Sequence, residues 1–221
     1  MTTNIIGMKV DPTSYTHAAD LIVRWARDCS SKYVCIAKVN NVMESYDPAD
    51  FRGVMDQADL VTPDGMPLVW GLRLLGHTAA TLSLLQVYTR KRFPALQVAY
   101  AYSPPFRPLT PEEDEQVVED INRSGARILF IGLNTPKQDF WMAAHKGRVR
   151  ALMAGVGATF DVLAGPKSQA PRWMMRIGME CFFRLVTEPR RLWKRYLKHN
   201  PRFVVLFAAQ LIRERLVKSN H

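Results

Sequence analysis

The feature that most constrains this chain is a regular alternation of short β-branched apolar runs with segments of helical period. The runs are Tyr33 to Val39 (YVCIAKV), Leu60 to Thr62, Leu96 to Ala101, Arg127 to Leu133 (RILFIGL) and Val149 to Val156. Each is short and closed by turn residues, which predicts a strand. Helices are expected between them. Asp47-Pro48 predicts a capped start with Phe51, Val54, Met55 and Ala58 at helical spacing. Leu68, Val69, Leu72 and Leu75 mark a second helix. Thr110-Pro111-Glu112-Glu113 joins a capping Thr, a Pro at the first position and acids at the positive end of the dipole. Asn134-Thr135-Pro136 opens another helix. Strands separated by helices pair in parallel, with the crossovers covering both faces of the sheet. The expected fold is α/β: a mainly parallel, Rossmann-like sheet with helices on both faces.

Charge separates this body from its end. The chain carries 30 Lys and Arg against 20 Asp and Glu, a net charge of +10. From Arg172 onward there are 12 basic residues and three acids, Glu180, Glu188 and Glu214, so the tail holds +9 of that excess. A tail of this kind seeks phosphate: nucleic acid, an anionic membrane or a phosphorylated substrate. Pro171 is expected to open an amphipathic helix with Trp173, Met174, Ile177, Phe182 and Leu185. Pro189 breaks it, with Thr187 or Glu188 as a cap, and a basic helix follows with Arg190, Arg191, Lys194, Arg195 and Lys198. Asn200-Pro201 is expected to end that helix, and an apolar helix from Phe203 to Leu216 closes the chain. The boundary is drawn at Gly165, giving an α/β catalytic domain over 1–165 and a basic helical appendage over 166–221. Arg191, Arg195 and Lys198 share one helical face, with Trp193 and Tyr196 interleaved. That pattern suits a membrane interface, RNA, or a solvated face whose aromatics turn to the core. No run of 18 apolar residues predicts a membrane-spanning helix, and no secretory signal is visible. Cys29, Cys35 and Cys181 have no zinc or redox spacing and are expected to be buried, reduced thiols. The five histidines form no ligand pair.

Three segments carry candidate chemistry, all following strands. Asp64, between Pro63 and Gly65, stands where parallel sheets bind ligands and has the chemistry of a general base. From the local sequence alone a plain Asp-Gly turn is the simpler reading. Gly155-Val156-Gly157 allows backbone to approach a phosphate or sugar, and Asp161 beyond it suits a sugar hydroxyl or a helix cap. Lys137 and Gln138, after Pro136, suit a diphosphate or uracil, or are ordinary residues of a first helical turn. The chain has neither a G-x-x-x-x-G-K-[ST] loop nor a full G-x-G-x-x-G, which argues against a P-loop NTPase or a dehydrogenase.

Taken in order, ADLVTPDGMPLVWGLRLLG (58–76), SPPFRPLT (103–110), GLNTPKQDFWM (132–142), GVGATFDVLAG (155–165) and EPRRLWKRYLKHNPRF (188–203) resemble the motifs of the WecG/TagA/CpsF glycosyltransferases. The resemblance covers most of the chain. It implies an inverting, non-spanning hexosyl or N-acetylhexosaminyl transferase that takes N-acetylmannosamine, its uronic acid or a related hexose from a UDP donor. The acceptor it implies is an undecaprenyl-diphosphate-linked sugar, in bacterial exopolysaccharide or other cell-surface polysaccharide synthesis. It places the catalytic base on Asp64, with Gly65 beside it. An Asn-bearing strand end falls near Asn40 and Asn41, where Lys38 takes a place that many members give to Asn. The Pro-Lys-Gln motif falls on Pro136, Lys137 and Gln138. Gly155, Gly157 and Asp161 fall at the substrate. A membrane-docking tail, with arginines for the diphosphate, falls on Arg184, Arg191 and Arg195. No D-x-D pair for Mn²⁺ or Mg²⁺ is present, so no metal or cofactor is expected. The expected partners are the UDP-sugar, the lipid-diphosphate acceptor and an anionic membrane, with no nucleic acid and with a homo-oligomer left open. The expected location is cytoplasmic, peripheral on the inner face of the cell membrane. After Leu74-Leu75-Gly76-His77 the family's usual loop, helix and strand are missing, and the chain passes directly to Thr78-Ala79-Ala80-Thr81-Leu82. A second reading of a chain so shortened is an inactive member that only binds membrane or polyanions.

Overall fold

The computed structural model describes residues 2–47, 49–64, 68, 99–102, 104–105, 107–133, 135–157, 170–171, 173–174 and 179–219. The chain begins with an antiparallel hairpin of β1 (Thr3–Ile5) and β2 (Met8–Val10). It turns through Ile6 and Gly7 at φ 50° and 89°, the hand that matches hairpin twist. Helix α1 (Tyr15–Arg27) follows, its first turn capped by the Ser14 hydroxyl. None of these three elements was among the sequence expectations.

Strand β3 (Tyr33–Ala37) ends two residues earlier than expected, and α2 (Val39–Tyr46) starts almost at once. Asn40 and Asn41 therefore lie in the first turn of a helix rather than at a strand end. The reason is local: Asn41 Oδ1 accepts from Lys38 N at 3.1 Å, satisfying an amide that a strand would have spent on its neighbour. Next come α3 (Ala49–Asp56) and β4 (Leu60–Pro63). Beyond β4, Leu68 is helical and fully buried, as its place in the second expected helix requires. Val69, Leu72, Leu75 and the junction after Gly76 lie outside the described residues.

Ala99 to Ala101, the described end of another expected strand, are not in a strand. An apolar run becomes a strand only where a neighbour takes its backbone groups, and no ladder is formed there. Helix α4 (Pro111–Arg123) has the expected reciprocal cap between Thr110 and Glu113. After it come β5 (Ile128–Ile131), α5 (Lys137–His145) and β6 (Leu152–Gly155).

Strands β3 to β6 form one parallel sheet in the order β4-β3-β6-β5. Period-2 alternation divides its faces. Val34, Leu60 and Leu152 pack against Ala18 and Ile22 of α1. Cys35, Ala37, Val61 and Met153 face the larger core, shared with α2, α3, α4 and α5. The outer edge of β4 is met by Asp11, whose carboxylate accepts from Val61 N at 2.8 Å while its own amide donates to Val61 O at 2.9 Å.

The tail holds α6 (Glu180–Thr187) and α7 (Pro189–Ser219). Pro189 separates them as expected, but Pro201 does not end the second. It lies inside a continuous helix of 31 residues. A proline within a helix costs about 3 kcal/mol. Leu192, Phe203 and Phe207 on either side of it are buried, at about 1.5–3 kcal/mol each, and that outweighs the break. Cys29 is also not buried. It sits exposed just after α1 at φ 48°, where the chain leaves the helix. No described helix is long and apolar enough to cross a membrane.

Candidate active site

Asp64 follows β4 directly, and its amide donates to Ala37 O at 2.7 Å, carrying the β3–β4 ladder one residue past the strand. This fixes the carboxylate at the carboxyl edge of the sheet. Its Oδ2 stands 3.0 Å from Lys38 Nζ, with the Asp64 side chain 16% exposed and that of Lys38 52%. Lys38 caps α2 at the end of β3. Asn40 Oδ1 is buried without a partner, and Asn41 Nδ2 is 3.5 Å from Thr135 Oγ1. The first turn of α2 thus meets the segment that leads into α5.

On the other side of β3, the glycine turn and the Pro-Lys-Gln segment form one unit. Pro136 stands at the head of α5, Lys137 is exposed at its first position, and Gln138 is buried. Gln138 Oε1 accepts from Gly157 N at 3.0 Å. Gly157 has φ +54°, a conformation that favours glycine. A Cβ on Gly155 would stand 2.8 Å from both Gln138 Nε2 and Met142 Cε, so a side chain there would displace the glutamine. Val156 N and Gly157 N also donate to Ile131 O, at 2.9 and 3.3 Å, tying the turn to β5.

Beneath this unit is Asp139, fully buried. Burial pushes its pKa up to about 6, opposed in part by Cys35 and Thr135. Neither carboxyl oxygen reaches hydrogen-bond geometry with a partner. The Cys35 thiol is in turn pushed well up, first by burial and then by Asp139. Neither Asp139 nor the Lys38–Asp64 contact was singled out from sequence. An acid in a first helical turn reads as a partner of the helix dipole, and only its inward face, shared with Gln138 and Met142, marks it as different.

Of the remaining expected residues, Arg184 and Arg195 are the two whose side chains are described, and both make their contacts elsewhere. Gly65 and Asp161 lie outside the described residues, as does the side chain of Arg191. Arg184 pairs within α6, its Nε and one terminal nitrogen each 2.8 Å from Glu180 Oε1. Arg195 is exposed on α7 with its guanidinium 5.7 Å from the Tyr196 ring centre. Neither bonds to Lys38, Asp64, Gln138 or Gly157 among the described residues. A shallow depression between Tyr100, Tyr102 and α4 shares no residue with the edge, and Glu112, Glu113 and Asp120 give it the wrong sign for a phosphate. Among the described residues, no three His, Cys, Asp or Glu side chains gather as a cation site.

The edge therefore presents an Asp, a half-exposed Lys, and a glycine turn with a buried Gln behind it. That set can take a proton, hold an anion and accept close backbone approach. The sequence profile of the Glycosyl transferase WecG/TagA/CpsF family matches this chain in two segments, residues 3–83 and 74–217. The two overlap over 74–83.

Proposed function

The chain belongs to the WecG/TagA/CpsF family of glycosyltransferases, enzymes of cell-surface polysaccharide synthesis, and we propose that it transfers a hexose-type sugar from a UDP donor to a polyprenyl-diphosphate-linked saccharide with inversion. N-acetylmannosamine, its uronic acid and related hexoses are the candidate sugars. The observation that carries this reading is the position of Asp64, held at the carboxyl edge of the sheet with only β3 between it and the Gly155–Gly157 turn.

In this mechanism the acceptor hydroxyl oxygen attacks the anomeric carbon from the side of Asp64. The bond from that carbon to the β-phosphate oxygen breaks, and its electron pair leaves with UDP. The hydroxyl proton passes to the Asp64 carboxylate. Charge grows on the leaving diphosphate, so donors aimed at it stabilise the transition state more than the ground state. Lys137 and the tail arginines Arg184, Arg191 and Arg195 are assigned that role, and the glycine turn, whose Val156 and Gly157 amides are held by Ile131 O and Gln138, is assigned to close approach of the substrate to backbone. Asn40, with its buried orphan oxygen, and Asn41 are assigned to the sugar or nucleotide. The basic tail is assigned to the anionic inner face of the membrane, where the lipid-linked acceptor resides.

The test is UDP release across a panel of UDP-sugars with a short-chain lipid-diphosphate acceptor. Asp64→Asn is expected to lower turnover about 10²–10⁴-fold, the usual worth of a general base, with the unfolding midpoint unchanged. Near wild-type turnover in that variant removes Asp64 as the base.

A further inference from the structure

We propose that Lys38 is an exchangeable ligand: it holds Asp64 in the free protein and passes to the diphosphate of the sugar nucleotide when the donor binds. This rests on the donor reading above. The first support is topological. Among the described strands, β3 is an inner one, with β4 on one side and β6 on the other. Ligands of open parallel sheets settle outside the carboxyl ends of the strands. Lys38 follows the last residue of β3.

Register supplies the second support. Ala37 pairs with Pro63, which sets Lys38 level with Asp64. Cys35 pairs with Gly155, the last pair on that side, so β3 runs on to Lys38 beside the turn that follows Gly155. Adjacent strands lie about 4.8 Å apart. Lys38 therefore stands between the base and the glycine turn, and its four-carbon stem serves either neighbour without a backbone change. Its backbone is already held, through the Lys38 N to Asn41 Oδ1 bond.

The third support is the weakness of the contact it would surrender. With half its side chain in solvent, Lys38 makes an ion pair of small worth, easily exchanged for a doubly charged partner. The exchange delivers two results in one movement. A cation arrives where the leaving group gains charge, and Asp64 is uncovered for the acceptor hydroxyl. Lys38 itself makes and breaks no covalent bond and moves no proton.

Full-length wild type, Lys38→Gln and Lys38→Arg are titrated calorimetrically with UDP and with uridine, and assayed for UDP release. Thermal midpoints are compared to confirm that the half-exposed substitution leaves the fold intact. The expected result for Lys38→Gln is about 10-fold or greater loss of UDP affinity, the scale of one charge-assisted bond, with uridine affinity changed less than about 2-fold. Lys38→Arg is expected to restore most of the UDP affinity, and the KM for donor is expected to follow the same order. Equal UDP affinity in wild type and Lys38→Gln overturns the proposal, as does a parallel loss of UDP and uridine, which marks a structural role. Turnover in wild type with Lys38→Gln unaffected defeats Lys38 alone. A wild type that neither binds UDP nor releases it defeats the donor reading, and this inference with it.

Discussion

Asp139 bears the largest unmet electrostatic cost among the described carboxyl groups of the site. It is fully buried behind the Gln138–Gly157 bond, and its pKa lies at about 6 against about 3.9 in an unfolded chain. Below about pH 4 the folded and unfolded chains both hold the proton and nothing is lost. Between about pH 4 and pH 6 only the folded chain keeps it, so stability falls as pH rises through that window and levels off above it. Asp139→Asn removes the charge while keeping the shape. Its stability relative to wild type is therefore expected to rise by on the order of 2–3 kcal/mol between pH 4 and pH 8. Urea unfolding of both proteins at the two pH values measures this. A difference that does not change with pH shows that Asp139 is not titrating in that range.

At the scale of elements, α7 is what joins the two ends of the chain. Gln210 Oε1 accepts from Ile6 N at 2.8 Å, and its Nε2 donates to Asn4 O and to Glu214 Oε1, each at 2.8 Å. Those backbone groups belong to the β1–β2 hairpin, whose Ile6 holds a φ of 50° that a β-branched residue rarely adopts. Nearby, Arg202 pairs with Asp47 at 2.6 Å and lies over the Tyr46 ring, and the buried His199 stands 3.8 Å from Glu44. Gln210→Ala leaves a partly buried amide unpaired at a strained turn. The expected loss is about 1–3 kcal/mol, read as a lower urea midpoint, whereas Glu214→Ala is expected to cost under about 0.5 kcal/mol. Equal losses in the two variants show that the helix end, not the clamp, sets the stability.

For the whole molecule, most of the tail's basic residues and many of its exposed apolar ones belong to the same helix. Trp193, Leu197, Val204, Val205, Ile212 and Leu216 are exposed along α7, and Arg190, Lys194, Arg195 and Lys198 lie near its start. Each basic residue near an anionic surface contributes about 1 kcal/mol, so these four alone are worth about 4 kcal/mol at low salt. Screening limits their reach to about 8 Å at physiological ionic strength. Full-length protein is expected to sediment with anionic vesicles, to release as salt rises, and to ignore neutral vesicles. Replacing the four by Gln is expected to abolish most of the binding. Unchanged binding of that variant would exclude the basic patch as the anchor. Full-length variants are needed because Phe203 and Phe207 of α7 are part of the main core, and a chain cut at residue 165 lacks them.

By itself the sequence determined the fold class, the strands at Tyr33, Leu60, Ile128 and Leu152, and the capped start of α4. These are properties of short windows: a β-branched run closed by turn residues, or a Thr with Glu three positions on, has a strong local preference. It also put Asp64 and the glycine turn after strands, and hence at the carboxyl edge of a parallel sheet. Tertiary structure alone decided the rest. Pro201 stays inside a helix because burial of Phe203 and Phe207 outweighs a local penalty that sequence reading counts in full. Gln138 reaches Gly157 only because β5 and β6 pair and Gly155 leaves room for it. The Lys38–Asp64 contact exists because the β3–β4 register sets two residues, 26 positions apart in the chain, level at one edge. Contacts between distant segments depend on strand order and register, and neither is encoded in any single window of the chain.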